Sequence, residues 1–486
     1  MNGLNNELGR REFLKRATQT AAVGVISTGI ASAKDTATKA PGTKNVQMED
    51  QDYWNQFRGP NGDGKSFAKN LPVEFSEKKN VRWKTPIHDE GWSSPVVWGN
   101  QIWLTTGRED GTELFAACVD LESGDVIHDI KVFDVTNPQK EYGGHNTHAT
   151  PTPVVEDGHV YVHFGTYGTA CLDTKSGKKL WERRDLNCDH RVRPASSPII
   201  DGDALFLCFD GVDAQFIVAL DKNTGKTLWL QNREVDSDLG AVLKAGGLSD
   251  AEIEATKKEK PGDNRKAYAT PTIIEYRGQR QLISPAAEAT FSYDPKTGEE
   301  IWRVRHEGWG WNAACRPIFQ HGLVYFTTGF SKHLLAVRPS GSGDVTDTHV
   351  LWSVKRSAPS VPSPLIVDDL LFMVSDQGFV SCLEARTGRE LWKERLRAGG
   401  YHWASPLYAD RKIYFCGKKG IVSVIAAERK FRLFAENRFE ASFIASPAIA
   451  ADSIILRSLT HLYCISEDYE RTEVACDQGA GRDYAE

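Results

Sequence analysis

The chain has 486 residues, with 59 Lys and Arg against 65 Asp and Glu, and a formal net charge of −6. This acidic balance argues against a nucleic-acid partner, which would call for a basic face. The nine cysteines are odd in number and include neither a CxxC nor an adjacent pair.

In chain order, Arg10-Arg11-Glu12-Phe13-Leu14-Lys15 precedes a weakly apolar stretch, Ala17 to Ile30, that ends in Ala31-Ser32-Ala33. This is the layout of a twin-arginine export signal cleaved after about Ala33, so residues 1–33 read as a leader and the protein as periplasmic or otherwise exported. The apolar stretch is too short and too rich in Ser and Thr to span a membrane. With no Cys near the cleavage site, no lipid anchor is expected. Cleavage would remove four basic and two acidic residues and leave a net charge of −8. Twin-arginine export carries folded proteins, often with a cofactor in place, which keeps a cofactor open.

Residues 34–80 read as a polar linker up to Gln51, then a packed segment, Asp52 to Phe75, marked by Trp54, Phe57 and Pro72. Within it, Gly59-Pro-Asn-Gly-Asp-Gly64-Lys65-Ser66 fits the phosphate-loop pattern GxxxxGK[ST]. That pattern carries meaning between a buried strand and a helix, and neither flank qualifies. The expectation is a Gly-rich surface turn. Its Asn61-Gly62-Asp63-Gly64 lacks the leading Asp and distal Glu of a calcium loop.

From residue 81 to 467 one unit recurs. The copies open with Ser/Thr-Pro and apolar residues in all but one case, as in Ser94-Pro95-Val96-Val97, and the prolines at 95, 153, 198, 271, 317, 364, 406 and 447 count eight units. Within the units an eleven-residue stretch recurs that starts with a small residue or Cys and runs through Asp and Ser/Thr-Gly to Trp, as in Cys171 to Trp181 and Ser292 to Trp302. Ala219 to Trp229 is the cleanest copy, and Cys118 to His128 is a weaker one that replaces the Trp. Short β-rich runs separated by Gly and Asp turns make each unit one antiparallel four-stranded blade, and the fold an all-β, eight-bladed β-propeller. The last unit is too short for its own outer strand. Val81-Arg82-Trp83-Lys84 is expected to complete blade eight and remove the open edge.

Trp83, Trp181, Trp229, Trp302, Trp352 and Trp392 are read as structural groups between blades. Burying ~150–250 Å² of a Trp at ~25 cal/mol per Å² is worth roughly 4–6 kcal/mol as an upper bound. Cys118, Cys171, Cys382 and Cys464 share a small-residue column with Ala219 and read as core, too far apart between blades for disulfides. Cys188, Cys315 and Cys476 stay open. His163 shares its column with many residue types and reads as a structural substitution.

The connections from one blade's outer strand to the next blade's inner strand gather on one face, which makes that face the candidate binding surface. Long insertions fall there: 134–147 and about 234–267, the second containing Ser249-Asp-Ala-Glu252, a capping box that predicts a short helix through Lys258. Candidate ligand-binding residues on this face are His145, His148, Arg191, Arg193, Trp309, Trp311, Arg316, Tyr401, His402 and Trp403. The two arginines at 191 and 193 could hold a carboxylate or phosphate. The aromatics could stack on a planar cofactor, sugar or peptide. His145 and His148 have no nearby third ligand, so no metal site is assigned. Residues 468–486 read as an acidic tail.

The units resemble the tryptophan-docking motifs of the pyrroloquinoline quinone (PQQ) dehydrogenase superfamily, and Ala219-Leu-Asp-Lys-Asn-Thr-Gly-Lys-Thr-Leu-Trp229 is a full match. The resemblance covers Trp83 to about Glu467 and implies eight blades. In the enzymes of that superfamily it implies PQQ and calcium in a central funnel, an adjacent-cysteine disulfide over the cofactor and an Asp as base. This sequence has no adjacent cysteines and no motif onto which the calcium ligands or the base carry over. It is more similar to exported PQQ-like repeat proteins, whose non-enzymatic relatives include an outer-membrane assembly lipoprotein. The expected function is therefore a non-catalytic scaffold that binds a protein, peptide or carbohydrate at its loop face. The alternative is a PQQ-dependent oxidoreductase with a divergent funnel, and PQQ with calcium stays open as its cofactor. No GxSxG or HExxH motif points to other chemistry.

Overall fold

The computed structural model describes residues 53–139, 146–233, 240, 243–244, 247–259, 262–306, 312–329, 332–355, 358–397 and 401–470. The leader, most of the tail, His145, Trp309, Trp311 and Cys476 lie outside them.

Among the described residues, eight antiparallel sheets follow one another along the chain. Each alternates β-branched and aromatic residues inward on its first three strands and carries a wetter outer strand. In blade 3, Ala204–Asp210 and Gln215–Asp221 are almost wholly buried, whereas Thr227–Asn232 is half exposed. The ring closes as expected. Lys79–Pro86 pairs antiparallel with His461–Glu470, and Trp83 lies opposite Cys464. Two blades gain a fifth strand: Tyr53–Trp54 joins the inner edge of blade 1, and Gly343–Asp344 pairs in parallel with the outer strand of blade 4.

The repeated Trp and Gly have one geometric cause. Trp181 of blade 2 donates its indole N–H to Lys222 O at 2.8 Å, in the turn of blade 3. Its ring lies over Gly225, where a Cβ would come within 2.7 Å of it. Trp83 sits the same way over Gly124, Trp229 over Gly298 and Trp352 over Gly388. The turn glycine thus leaves room for the preceding blade's Trp as well as supplying a left-handed φ. In blade 1 the substitute His128 meets Thr174 O at 3.2 Å. Trp302 differs: blade 5 replaces the compact turn with the insertion that carries Gly343–Asp344, and the indole turns back to Gln281 Oε1 of its own blade at 2.9 Å.

A second repeated contact binds the blades near the axis. In seven of the eight units the backbone N–H of the residue before the inner-strand proline donates to the hydroxyl of its counterpart in the next blade. Ser94 donates to Thr152, Thr152 to Ser197, Ser197 to Thr270, Ser363 to Ser405, Ser405 to Ser446, and Ser446 back to Ser94, all at 2.9–3.1 Å. Arg316 N also donates, to Ser363 at 2.9 Å, but offers no hydroxyl in return.

The N-terminal segment crosses the ring. Trp54 pairs with Val97 of blade 1, Asn55 O accepts from Val155 N of blade 2, Arg58 reaches Ser363 O and Pro364 O of blade 6, and Gly64 and Ser66 bond Tyr408 of blade 7. The expected surface turn is therefore corrected: Gly59, Gly62 and Gly64 are buried. A Cβ on Gly62 would come within 2.2 Å of the Arg316 guanidinium. The glycines serve close packing on arginine, in a loop flanked by neither the strand nor the helix of a phosphate loop.

Segment 236–261 carries a helix. Its helix Asp250–Glu259 starts at the capping box, with Ser249 N donating to Glu252 Oε2 at 2.9 Å.

Candidate functional site

Successive antiparallel strands place the outer-to-inner linkers and the second-to-third-strand turns on one face. The structure separates the sequence candidates on this face into two kinds. Arg193 and Arg316 are fixed by the protein itself. Arg193 pairs with Glu90 Oε1 at 2.6 Å and donates to Asn146 O and Glu109 O. Arg316 is buried and donates to Gln56 Oε1 at 2.9 Å, Thr272 Oγ1 at 3.2 Å and Phe57 O. Neither guanidinium is presented to a ligand. Both instead brace main chain, because long loops and the incoming segment leave carbonyls that need donors. Burial pulls the Arg316 pKa down to about 9, with the nearby Arg58 adding repulsion. Arg191 is buried in a left-handed conformation, its N–H held by Asp189 Oδ1 at 2.8 Å. His148 is buried edge-on to Tyr167 at 5.3 Å, and His402 is also buried.

Tyr401 and Trp403 form the other kind. Tyr401 is 49% exposed. Trp403 lies 5.8 Å from Trp92, and Lys418 Nζ sits 4.2 Å above its ring, a cation–π contact. Beside this group, between blades 7, 8 and 1, opens a cavity of ≈170 Å³ lined by Trp92, Lys418, Ile444, Ala445, Arg457 and Leu459, among others.

A buried polar centre between blades 2, 3 and 4 escaped the sequence reading. Arg233 NH1 bonds both oxygens of Asp210 at 2.8 Å, and NH2 reaches Ser284 Oγ at 2.5 Å and Cys208 Sγ at 3.4 Å. The carboxylate keeps the guanidinium charged, its pKa pushed up. Nearby, Cys188 Sγ lies 3.5 Å from His190 Nε2, and the fully buried Lys266 donates to His190 O. Burial pulls the His190 pKa well below its usual value and pushes the Cys188 thiol up, so this thiol is not an activated nucleophile. His163 is buried against Phe209 and shares a 2.8 Å hydrogen bond with Thr169 Oγ1. All eight described cysteines are buried and free.

The described residues do not fit calcium-bound PQQ. Calcium requires six to eight oxygen ligands, and among the described residues no three His, Cys, Asp or Glu side chains gather to hold a metal ion. The two arginines at the centre of the ring, Arg58 and Arg316, are already bonded to the N-terminal segment and to inner-strand carbonyls.

A family model described as "Outer membrane protein assembly factor BamB", one of the PQQ-like repeat models, matches residues 74–242 and 213–472. The chain belongs to this family. Solved PQQ-like propellers share the fold at low sequence identity. BamB from Moraxella catarrhalis superposes with a TM-score of 0.54 at 12% identity, over 79% of this chain and 99% of that one. A europium-containing methanol dehydrogenase gives 0.61 at 10% identity, over 86% and 92%. Among curated proteins, the quinoprotein ethanol dehydrogenase of Pseudomonas aeruginosa is 31% identical over 152 residues, 31% of this chain and 22% of the relative. The corresponding enzyme of Pseudomonas putida is 28% identical over 165 residues. These matches span 22% of the length of the curated relatives. No described helix of this PQQ-like propeller is long and apolar enough to cross a membrane.

Proposed function

We propose that this chain is an exported, non-catalytic propeller that binds a protein or peptide through the face bearing its long linkers. The observation that carries the reading is the group of Trp92, Tyr401, Trp403 and Lys418. These side chains put aromatic surface and a cation without an ion pair among the described residues beside a cavity, the composition of an interface anchor. Arg193 and Arg316, two of the sequence candidates for ligand binding, are engaged by the protein itself. The leader 1–33 delivers the folded ring across the membrane, and the solved BamB, named as an assembly factor in the family description, is a relative consistent with a protein partner.

The test is site-specific crosslinking from a photoreactive residue at Tyr401 in the producing cell. Discrete adducts that disappear with Trp403→Ala are expected, and an adduct-free position 401 would overturn the reading.

A second reading, a divergent quinoprotein oxidoreductase, is favoured by the local identity to quinoprotein ethanol dehydrogenases. It requires a saturable rise in melting temperature with PQQ plus calcium or europium, together with PQQ-dependent reduction of an acceptor dye. Were both observed, the non-catalytic reading would fall.

A further inference from the structure

We propose that the cavity between blades 7, 8 and 1 binds a short aliphatic carboxylate. The ligand's apolar body fills the pocket, and its charged end faces Lys418 and Arg457. The inference rests on reading this face as the binding surface and gives that surface a ligand class.

The walls supply the apolar part through Trp92, Ile444, Ala445 and Leu459. Two cations share the lining. Arg457 is only 2% exposed, and its guanidinium donates to Ser93 O at 2.9 Å, to Ser93 Oγ and to Thr105 O at 2.8 Å, all uncharged oxygens. Among the described residues its Nε has no acceptor, and neither does the buried Nε1 of Trp92. Lys418 makes no ion pair among the described residues and rests on Trp403. The lining therefore holds two positive charges and two unsatisfied donors with no carboxylate of its own. A buried cation without a counter-ion is costly, and an anion with free lone pairs is the chemical complement that relieves it. Burial already pulls the Arg457 pKa down to about 9, the direction that a bound anion would reverse.

Size and polarity narrow the ligand further. At ~30 Å³ per water the cavity holds the equivalent of about five or six waters, room for an acid of roughly four to six carbons. Inorganic phosphate would leave the apolar walls unfilled. The acid could be a free molecule or the C-terminal residue of a partner chain, since both present an apolar group ending in a carboxylate.

The test titrates the full chain with butyrate and hexanoate, and in parallel with butyramide and hexanamide, following tryptophan fluorescence and melting temperature. The acids should give a saturable change, and the isosteric amides should bind about tenfold or more weakly, the loss of a charge-assisted contact. Lys418→Met and Trp92→Phe, with wild-type melting temperatures, should each weaken hexanoate. Arg457→Met is avoided because Arg457 braces Ser93 and Thr105. Amides that match the acids, or a Lys418→Met variant with unchanged affinity, would overturn the assignment, as would the absence of any saturable change. A tetrapeptide ending in Val identifies the source: tighter binding than butyrate, lost on C-terminal amidation, marks a chain terminus, and weaker binding marks a free acid. Crosslinking from Tyr401 reports separately. Adducts without an acid response sink the pocket alone, whereas an acid response without adducts sinks the protein-partner reading and keeps the pocket.

Discussion

Gly225→Ala tests why the blade turns carry glycine. Gly225 has φ +69°, and a Cβ there would lie 2.7 Å from Trp181 Cε3. The left-handed backbone costs an alanine ~1–2 kcal/mol, and the contact with a large ring adds an overpacking cost of ~1–3 kcal/mol, for a total of ~2–5 kcal/mol. Gly202 is the built-in control, with φ +58° and nothing within 4 Å, so Gly202→Ala should incur the backbone cost alone. For a ring of about 390 residues unfolding as one unit, ~2.1 cal/mol/K per residue turns these costs into a melting-temperature drop of about 2–6 °C at Gly225 and about 1–2 °C at Gly202. Calorimetry supplies the first measurement and urea titration the second. In a Trp181→Ala background the Gly225→Ala cost should shrink to that of Gly202→Ala, a coupling of ~1–3 kcal/mol. If Gly225→Ala and Gly202→Ala cost the same in the wild-type background, the Trp is not what requires the glycine.

Three further perturbations follow from the same geometry. Burial pulls the His163 pKa from 6.5 to about 3. The folded ring therefore binds that proton more weakly than the unfolded chain, and the stability contribution is full above pH 6.5 and lost as pH falls towards 3, at ~1.36 kcal/mol per pH unit. His163→Asn should flatten the dependence of unfolding free energy on pH by ~2 kcal/mol between pH 6.5 and 5, and a slope identical to wild type would count against it. Arg316→Met leaves Phe57 O and Gln56 Oε1 without their donor, so it should cost ~2–4 kcal/mol. It should also speed proteolysis within residues 53–75, and unaltered protection there would refute the anchoring. Deleting residues 79–86 uncovers the edge of His461–Glu470 and should produce aggregation and loss of a single cooperative transition. A soluble ring with the original melting temperature would disprove closure by that strand.

What could be read from the sequence was what repeats within one blade. The eleven-residue spacing from Ala219 to Trp229 is local, so it exposed the turn and the Trp, and the recurring prolines gave the number of blades. The prolines marked the inner strands, yet the hydroxyl before seven of the eight of them passed without a role, although the column was visible in Ser94, Thr152, Ser197, Thr270, Ser363, Ser405 and Ser446. Arg316, which breaks that column, was placed among the ligand residues because its linker faces the loops. Its partners, Gln56 and Phe57, lie about 260 positions away. The same holds for Lys266 against His190, 76 positions apart, and for Arg233 against Ser284, 51 apart. Contacts that join different blades leave no spacing in a single sequence, so these clusters emerged only with the fold.

The break in the hydroxyl series ties the N-terminal segment to the ring. A hydroxyl at position 316 would satisfy its neighbour's N–H without burying charge. The chain instead buries a guanidinium there beside a second one, Arg58, whose own pKa burial pulls down to about 10. Two adjacent buried cations are tolerable because main-chain oxygens of Phe57, Asp63, Ser363 and Pro364 converge on them. Phe57 and Asp63 come from the N-terminal segment, and Ser363 and Pro364 from blade 6. The arrangement thus exists only when the segment lies across the ring, contacting blades 1, 2, 5, 6 and 7. Segment and ring are therefore expected to fold as one unit.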